Sequence, residues 1–265
     1  MNKPFLTADL LLPFAQQVKH FISTRKGGVS LPPYHTLNLG FHVGDSPEHV
    51  WQNRNILANA VEIPIANFCF AQQTHSANIH LVTELDRGAG IDKEQTAIAD
   101  TDALITQEKN ICLTVLAADC VLILLFDKRN HAIAAIHAGW RGSLAQITTK
   151  TIEAMQMHFR TQSQDLLAVL CPAISLKNYE VSHDFVDRVQ SVFGTNESFI
   201  WHNPITQKPH LDLHYTNRFQ LLKCGVLPQN IATLPYCTFE NSDLFFSARK
   251  YKNHTGRFAA GICLI

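Results

Sequence analysis

Residues 111–143 read ICLTVLAADCVLILLFDKRNHAIAAIHAGWRGS, and this stretch decides the fold class. Three apolar runs of strand length, 111–117, 121–126 and 132–137, follow one another with only short polar interruptions. A helical pattern starts only near Ser143, with Leu144, Ile147, Thr151, Ala154, Met155 and His158 at helical spacing. Consecutive strands of this kind break a strict βαβ alternation. Working outward, further strands are predicted at 20–25, 68–73, 79–83, 103–106, 166–170 and 258–265. Ser46-Pro47-Glu48 carries an N-cap, a proline at the first helical position and an acid in the first turn, ahead of Val50, Arg54, Leu57, Ala58 and Val61 on one face. A third helix runs through Phe185, Val189, Val192 and Phe193 to Gly194. A fourth starts at Asp212, buries Tyr215, Phe219 and Leu222, and ends at Gly225. Strands outnumber helices in irregular order, so the reading is α+β with mixed sheets.

The 265 residues contain no internal repeat and no Gly/Ser- or Pro-rich linker, which predicts one domain over residues 1–265. Hydrophobic residues make up 46% and charged residues 17%, a globular balance able to bury a large core. Lysine plus arginine equals aspartate plus glutamate at 22 each, which argues against a nucleic-acid or anionic-membrane surface. The apolar run 10–15 is interrupted by Pro13 and lacks the flanks of a signal peptide. No apolar stretch approaches the roughly 18 to 20 residues of a spanning helix. Seven cysteines, odd in number and without a C-x-x-C pair, predict a reducing, cytoplasmic setting.

Reactive side chains gather where predicted strands end. His75 follows Gln72-Gln73-Thr74, Cys120 follows Ala117-Ala118-Asp119, and His137 precedes a turn containing Gly139 and Gly142. Two imidazoles and a thiolate make a suitable zinc shell with a fourth position open. The competing reading is a buried thiol and two histidines satisfied by the backbone, because ligands 45 and 17 positions apart carry no spacing signature. Arg141, with Gly139 and the turn to Ser143, offers an anion site, and Arg25 in the Gly27-Gly28 turn offers a second; a tight turn with a surface arginine is the alternative for each. Asp119 could orient a ligand, exchange protons or cap a turn. Asn38 could contact a substrate or shape a turn, and Arg54 sits on an apolar helix face that calls for an anionic partner. Ser247, Arg249 and Thr255-Gly256-Arg257 supply further donors, or solvated surface.

Together these segments resemble the YfiH-type family, also described as multicopper polyphenol oxidase or laccase-domain proteins and as broad-activity purine nucleoside phosphorylases. The resemblance runs through Thr24-Arg25-x-Gly27-Gly28-Val29-Ser30, Leu37-Asn38-Leu39-Gly40, Val43-Gly44-Asp45 and Asn53-Arg54. It continues through Gln73-x-His75, Asp102-Ala103-Leu104-Ile105-Thr106, Ala118-Asp119-Cys120 and His137-Ala138-Gly139-Trp140-Arg141-Gly142. It closes with Tyr179-Glu180-Val181, Leu211-Asp212-Leu213 and Thr255-Gly256-Arg257. It implies a YfiH-like α/β/β/α sandwich and a zinc ion on His75, Cys120 and His137. It also implies phosphorolysis of adenosine, inosine, guanosine and methylthioadenosine, with adenosine deamination. Cys171-Pro172-Ala173-Ile174 and Ser247-Ala248-Arg249 depart from the family pattern and bear on substrate preference.

Four functions follow for test. The first is a zinc-dependent purine nucleoside phosphorylase and adenosine deaminase, with nucleoside and phosphate as its small-molecule partners. The second is a hydrolase or amidase of peptidoglycan precursors with Cys120 as nucleophile and His75 or His137 as base. The third is a copper-dependent polyphenol oxidase, for which two histidines and one cysteine are too few for a multicopper cluster. The fourth is a binding protein without turnover.

Overall fold

The computed structural model describes residues 4–195 and 199–265; the first three residues of the N-terminal reading lie outside them. In chain order the strands are β1 (Phe5–Leu6), β2 (Val18–Ser23), β3 (Phe68–Phe70), β4 (Ile79–Leu81), β5 (Ala103–Thr106), β6 (Cys112–Ala117) and β7 (Val121–Asp127). They continue with β8 (Ala132–Ala138), β9 (Leu166–Leu170), β10 (Ile200–His202), β11 (Pro209–Leu211), β12 (Ile231–Thr233) and β13 (Phe258–Leu264). The helices are α1 (Pro47–Val61), α2 (Trp140–Leu144), α3 (Ile147–Phe159), α4 (His183–Phe193) and α5 (Leu213–Lys223).

The strands form two mixed sheets and a small hairpin of β10 and β11. One sheet is ordered β1-β2-β13-β6-β3, the other β12-β9-β7-β8-β5-β4. Within them β3 with β6, β4 with β5 and β12 with β9 are parallel, and the remaining pairs antiparallel. Side-chain alternation then fixes the layers. Leu113, Val115 and Ala117 of β6 and Ala260 and Ile262 of β13 share one core with Leu122, Leu124, Ile133 and Ala135 of the other sheet. Cys112, Leu116 and Ala259 point away, toward Leu57 and Ala58 of α1. Ile123, Leu125, Ala134 and Ile136 also point away, toward Ile152 and Met155 of α3, Val189 of α4 and Leu221 of α5. The result is a mixed α/β sandwich of four layers: helix, sheet, sheet, helices. No helix among the described residues is long and apolar enough to cross a membrane.

The helix signals at 46–48 hold: Ser46 accepts the His49 N–H, with Pro47 inside the first turn. Two expectations are corrected. The helix expected from Ser143 begins at Trp140 and is interrupted at Gln146, whose φ of 60° starts a second helix, α3. The fully buried face of α5 is Leu213, Thr216, Asn217, Gln220 and Leu221; Tyr215 and Phe219 are half-buried against the same core beside Phe199, and Leu222 is exposed. Hydrogen bonds turn that helix: Asn217 Nδ2 donates to Ser143 Oγ at 2.9 Å, Gln220 Nε2 to Ser143 O at 2.9 Å, and Thr148 Oγ1 to Asn217 Oδ1 at 2.8 Å. A buried polar seam thus lies beside the apolar contacts, and its groups are paired because unmet polar groups are costly.

Candidate metal centre

The chain passes between the sheets twice at the same end of the sandwich. Segment 71–78 leaves β3 in one sheet and enters β4 in the other, carrying His75. Ala118-Asp119-Cys120 leaves β6 and enters β7, carrying Cys120. His137 lies near the end of β8, on the inter-sheet side set by Ile133 and Ala135. Three residues distant in sequence therefore meet at one rim of the inter-sheet core.

Their ligating atoms all lie within 4.8 Å of one another, and Cys120 Sγ is 3.8 Å from His75 Nε2. The two rings are nearly perpendicular, 4.7 Å apart at their centroids. Tetrahedral zinc with ordinary Zn–N and Zn–S bonds needs ligand atoms about 3.4–3.6 Å apart. The cluster is within a small contraction of that, and its donor set suits zinc or copper. Gly139 makes the approach feasible. A Cβ there would lie 2.7 Å from His75 Cδ2 and 3.0 Å from Cys120 Sγ.

His137 is 3% exposed, and its Nδ1 meets Asp102 Oδ1 at 2.7 Å, which leaves Nε2 for Cys120. Burial opposes charge on both Cys120 and His137, but each is the other's counter-ion. The thiol is lowered to about 6, with the His75 contact helping, and the imidazole is raised to about 9, with Asp102 helping. Asp102 is fully buried; burial works against its charge, and hydrogen bonds from His137 and Ser76 hold it down at about 2. The metal-free centre is thus a thiolate–imidazolium pair on a carboxylate.

A cavity of about 700 Å³ opens over the three residues. Phe41, Phe70 and Tyr179 give it aromatic wall, while Arg54, Arg249, Lys252 and Arg257 line it with cations. Of the residues singled out in the sequence, His75, Cys120, His137, Asp119, Arg54, Arg249 and Arg257 line this cavity, and Gly139 backs its metal end. Asp119 accepts from Thr238 Oγ1 at 2.6 Å and from the Arg249 N–H at 2.6 Å, with its own φ at 86°. It ties the Cys120 crossover to the C-terminal loop. The anionic partner expected for Arg54 is replaced by backbone carbonyls and rings. Its guanidinium donates to Leu39 O and Gly90 O and lies 3.8 Å from the Phe70 centroid.

The other residues lie elsewhere. Arg25 donates to His35 O and Ser242 O and borders a separate shallow pocket. Asn38 is fully buried, bonded to Gly40, Asp45 and the Arg257 N–H, so it shapes a turn. Ser247 is fully buried and accepts from the Lys250 N–H. Arg141 is exposed, folded over the Trp140 ring at 4.4 Å and outside the cavity lining. Its anion-site reading also loses its helix, because α2 has only five residues. Asp102 was not singled out as a functional residue, although a carboxylate at the head of an apolar strand is the kind of signal that marks one. Gln73 was missed too: its side chain donates to Leu116 O and accepts from Leu116 N–H, both at 2.7 Å, pinning the His75 loop to β6.

A family model, named relatives and solved structures each match nearly the whole chain. The pattern of a family described as multi-copper polyphenol oxidoreductase laccase matches residues 19–265. A protein of Bacteroides thetaiotaomicron named purine nucleoside phosphorylase is 35% identical over 247 residues, 93% of this chain and 92% of that one. YlmD of Bacillus subtilis, with the same activity in its name, is 32% identical over 91% of this chain and 86% of its own. Among solved structures, YlmD of Geobacillus stearothermophilus superposes with a TM-score of 0.93 at 32% identity, over 100% of this chain and 97% of that one. The Bacillus licheniformis YfiH protein gives 0.90 at 30% identity over the whole of both chains.

Proposed function

This chain belongs to the multi-copper polyphenol oxidoreductase laccase family, and on that premise we propose that it is a purine nucleoside phosphorylase whose centre holds zinc. The observation that carries the proposal is the His75–Cys120–His137 cluster at the floor of a cation-lined cavity of nucleoside size. A divalent ion held by these three residues would supply Lewis acidity and keep Cys120 as thiolate. The rest is work for the chain's own side chains. Arg249 and Lys252, both exposed and lining the cavity, bind phosphate; Arg249 leans on the Tyr179 ring at 5.0 Å and donates to Asn178 O at 3.5 Å and Glu180 O at 3.1 Å, contacts that leave further guanidinium N–H groups for an anion. The anion site therefore moves from Arg141 to this pair. Phe41, Phe70 and Tyr179 exclude water around the base and sugar. In phosphorolysis a phosphate oxygen bonds to C1′ as the bond from C1′ to the purine nitrogen breaks. The base leaves with that electron pair and takes up a proton. Positioning and charge do most of this work.

Adenosine, inosine, guanosine and methylthioadenosine, each incubated with and without phosphate, test the reading. Free base and ribose 1-phosphate (5-methylthioribose 1-phosphate from methylthioadenosine) should form only with phosphate present. Inosine from adenosine without phosphate would add the deaminase activity, and no turnover of any nucleoside by zinc-loaded protein refutes both. The 3.8 Å contact of Cys120 Sγ with His75 Nε2 favours a second reading, a thiol hydrolase. Chelation separates the two: it abolishes phosphorolysis and spares a thiol nucleophile. Copper is the alternative occupant. The described residues hold one metal-binding group of this kind, a mononuclear site, so elemental analysis decides between the metals.

A further inference from the structure

We infer that Asp102 is the positioning residue of the metal centre, a single carboxylate that sets both histidines at once. The inference rests on the reading of His75, Cys120 and His137 as metal ligands. Asp102 sits fully buried at the head of β5, between the loop of one ligand and the strand of another. Its Oδ1 accepts the His75 N–H at 3.1 Å and faces His137 Nδ1 at 2.7 Å. Its Oδ2 accepts the Thr74 N–H at 3.1 Å, the Ser76 N–H at 2.6 Å and Ser76 Oγ at 2.7 Å, with Thr74 Oγ1 further off at 3.4 Å. Its carbonyl takes the His137 N–H at 2.7 Å.

Two consequences follow. Three successive N–H groups converge on one carboxylate, which holds His75 in a left-handed conformation, φ 62°, that a β-carbon disfavours. The carboxylate also requires a proton on His137 Nδ1, so Nε2, on the Cys120 side, is the nitrogen left to bind a metal. An asparagine at 102 cannot satisfy both demands. With its NH2 at the Oδ1 position it opposes the His75 N–H and forces the His137 proton onto Nε2, the ligating atom. With its NH2 at the Oδ2 position it opposes the Thr74 and Ser76 N–H groups and loosens the loop that carries His75.

Zinc affinity of wild type and Asp102→Asn, measured by competition with a chromophoric chelator, tests this, together with melting of both metal-free proteins. Asp102→Asn should bind zinc on the order of 10- to 100-fold more weakly, while the metal-free variant stays folded. Equal affinity for the two proteins overturns the inference and leaves the metal reading standing; wild type that fails to bind zinc overturns both. A purely structural Asp102 would lower the metal-free melting temperature and leave the affinity of the folded protein unchanged. If the variant does not fold, histidine ¹⁵N spectra of zinc-loaded wild type decide. His137 should show a protonated Nδ1 and a metal-bound Nε2, and the reverse assignment refutes the account.

Discussion

Replacing Gly139 by alanine adds one methyl group at the tightest point of the centre. The backbone there, φ −68° and ψ 170°, is open to any L-residue, so the substitution tests packing without backbone strain. The new Cβ would stand 2.7 Å from His75 Cδ2 and 3.0 Å from Cys120 Sγ, where ordinary contact begins at 3.4 Å. The His75 ring must retreat by about 0.7 Å, whereas metal–ligand bonds tolerate roughly 0.2 Å. Overpacking of this size costs about 1–3 kcal/mol. His75 reaches solvent and can swing aside in the metal-free protein, so the cost falls on the bound state. That converts to a loss of zinc affinity of about 5- to 150-fold. Chelator competition reads the affinity, and melting of the metal-free protein checks that the variant is folded. An affinity within about twofold of wild type would refute the reasoning, since it would mean that the three side chains do not close around an ion as the packing of Gly139 implies.

Arg249→Ala and Lys252→Ala should each raise KM for phosphate on the order of tenfold with little change in KM for nucleoside, while Arg141→Ala changes neither; a phosphate effect at Arg141 alone would restore the anion site to the turn after β8. Zinc binding at pH 7.5 should release about one proton, because Cys120, lowered to about 6, is already thiolate while His137, raised to about 9, still carries the proton that metal must displace. Calorimetry in buffers of different ionisation enthalpy measures it, and zero release contradicts the thiolate–imidazolium pair. His20 is buried and accepts the Ala8 N–H at 2.8 Å, and burial lowers its pKa from 6.5 to about 4. The unfolded chain then binds the extra proton, so stability is lost as pH falls from about 6.5 toward 4, by at most about 3 kcal/mol. Denaturant unfolding at pH 7 and pH 4.5 should show this loss in wild type and not in His20→Gln, and an equal loss in both would assign it to other groups.

Most of the sandwich could be read from the sequence because its central strands are long and apolar on both faces. The expected 103–106 and 166–170 coincide with β5 and β9, and 111–117, 121–126 and 132–137 differ from β6, β7 and β8 by a single residue at one end. What escaped were β1, β10, β11 and β12, each two or three residues long and paired at a sheet edge or in a hairpin. Such segments are strands because a neighbour pairs with them, and two or three residues show no periodicity of their own. The same division runs through the site. His75, Cys120 and His137 drew attention as reactive types at strand ends, but their convergence depends on two chain crossings between sheets. Asn38, Arg25 and Ser247 looked like substrate donors because sequence shows a polar group and hides the nearby carbonyl or N–H that satisfies it. Asp102 is the converse case, an acid whose six donors come from three residues of one loop and one histidine of another strand.

The most direct measurement is anomalous X-ray scattering at the zinc edge from crystals of protein purified without chelator or added metal. The account predicts one peak within about 2.0–2.3 Å of His75 Nε2, His137 Nε2 and Cys120 Sγ, with signal above the zinc edge and none between the copper and zinc edges. Full density for the three side chains with no peak between them would contradict it, and so would a peak that appears already at the copper edge.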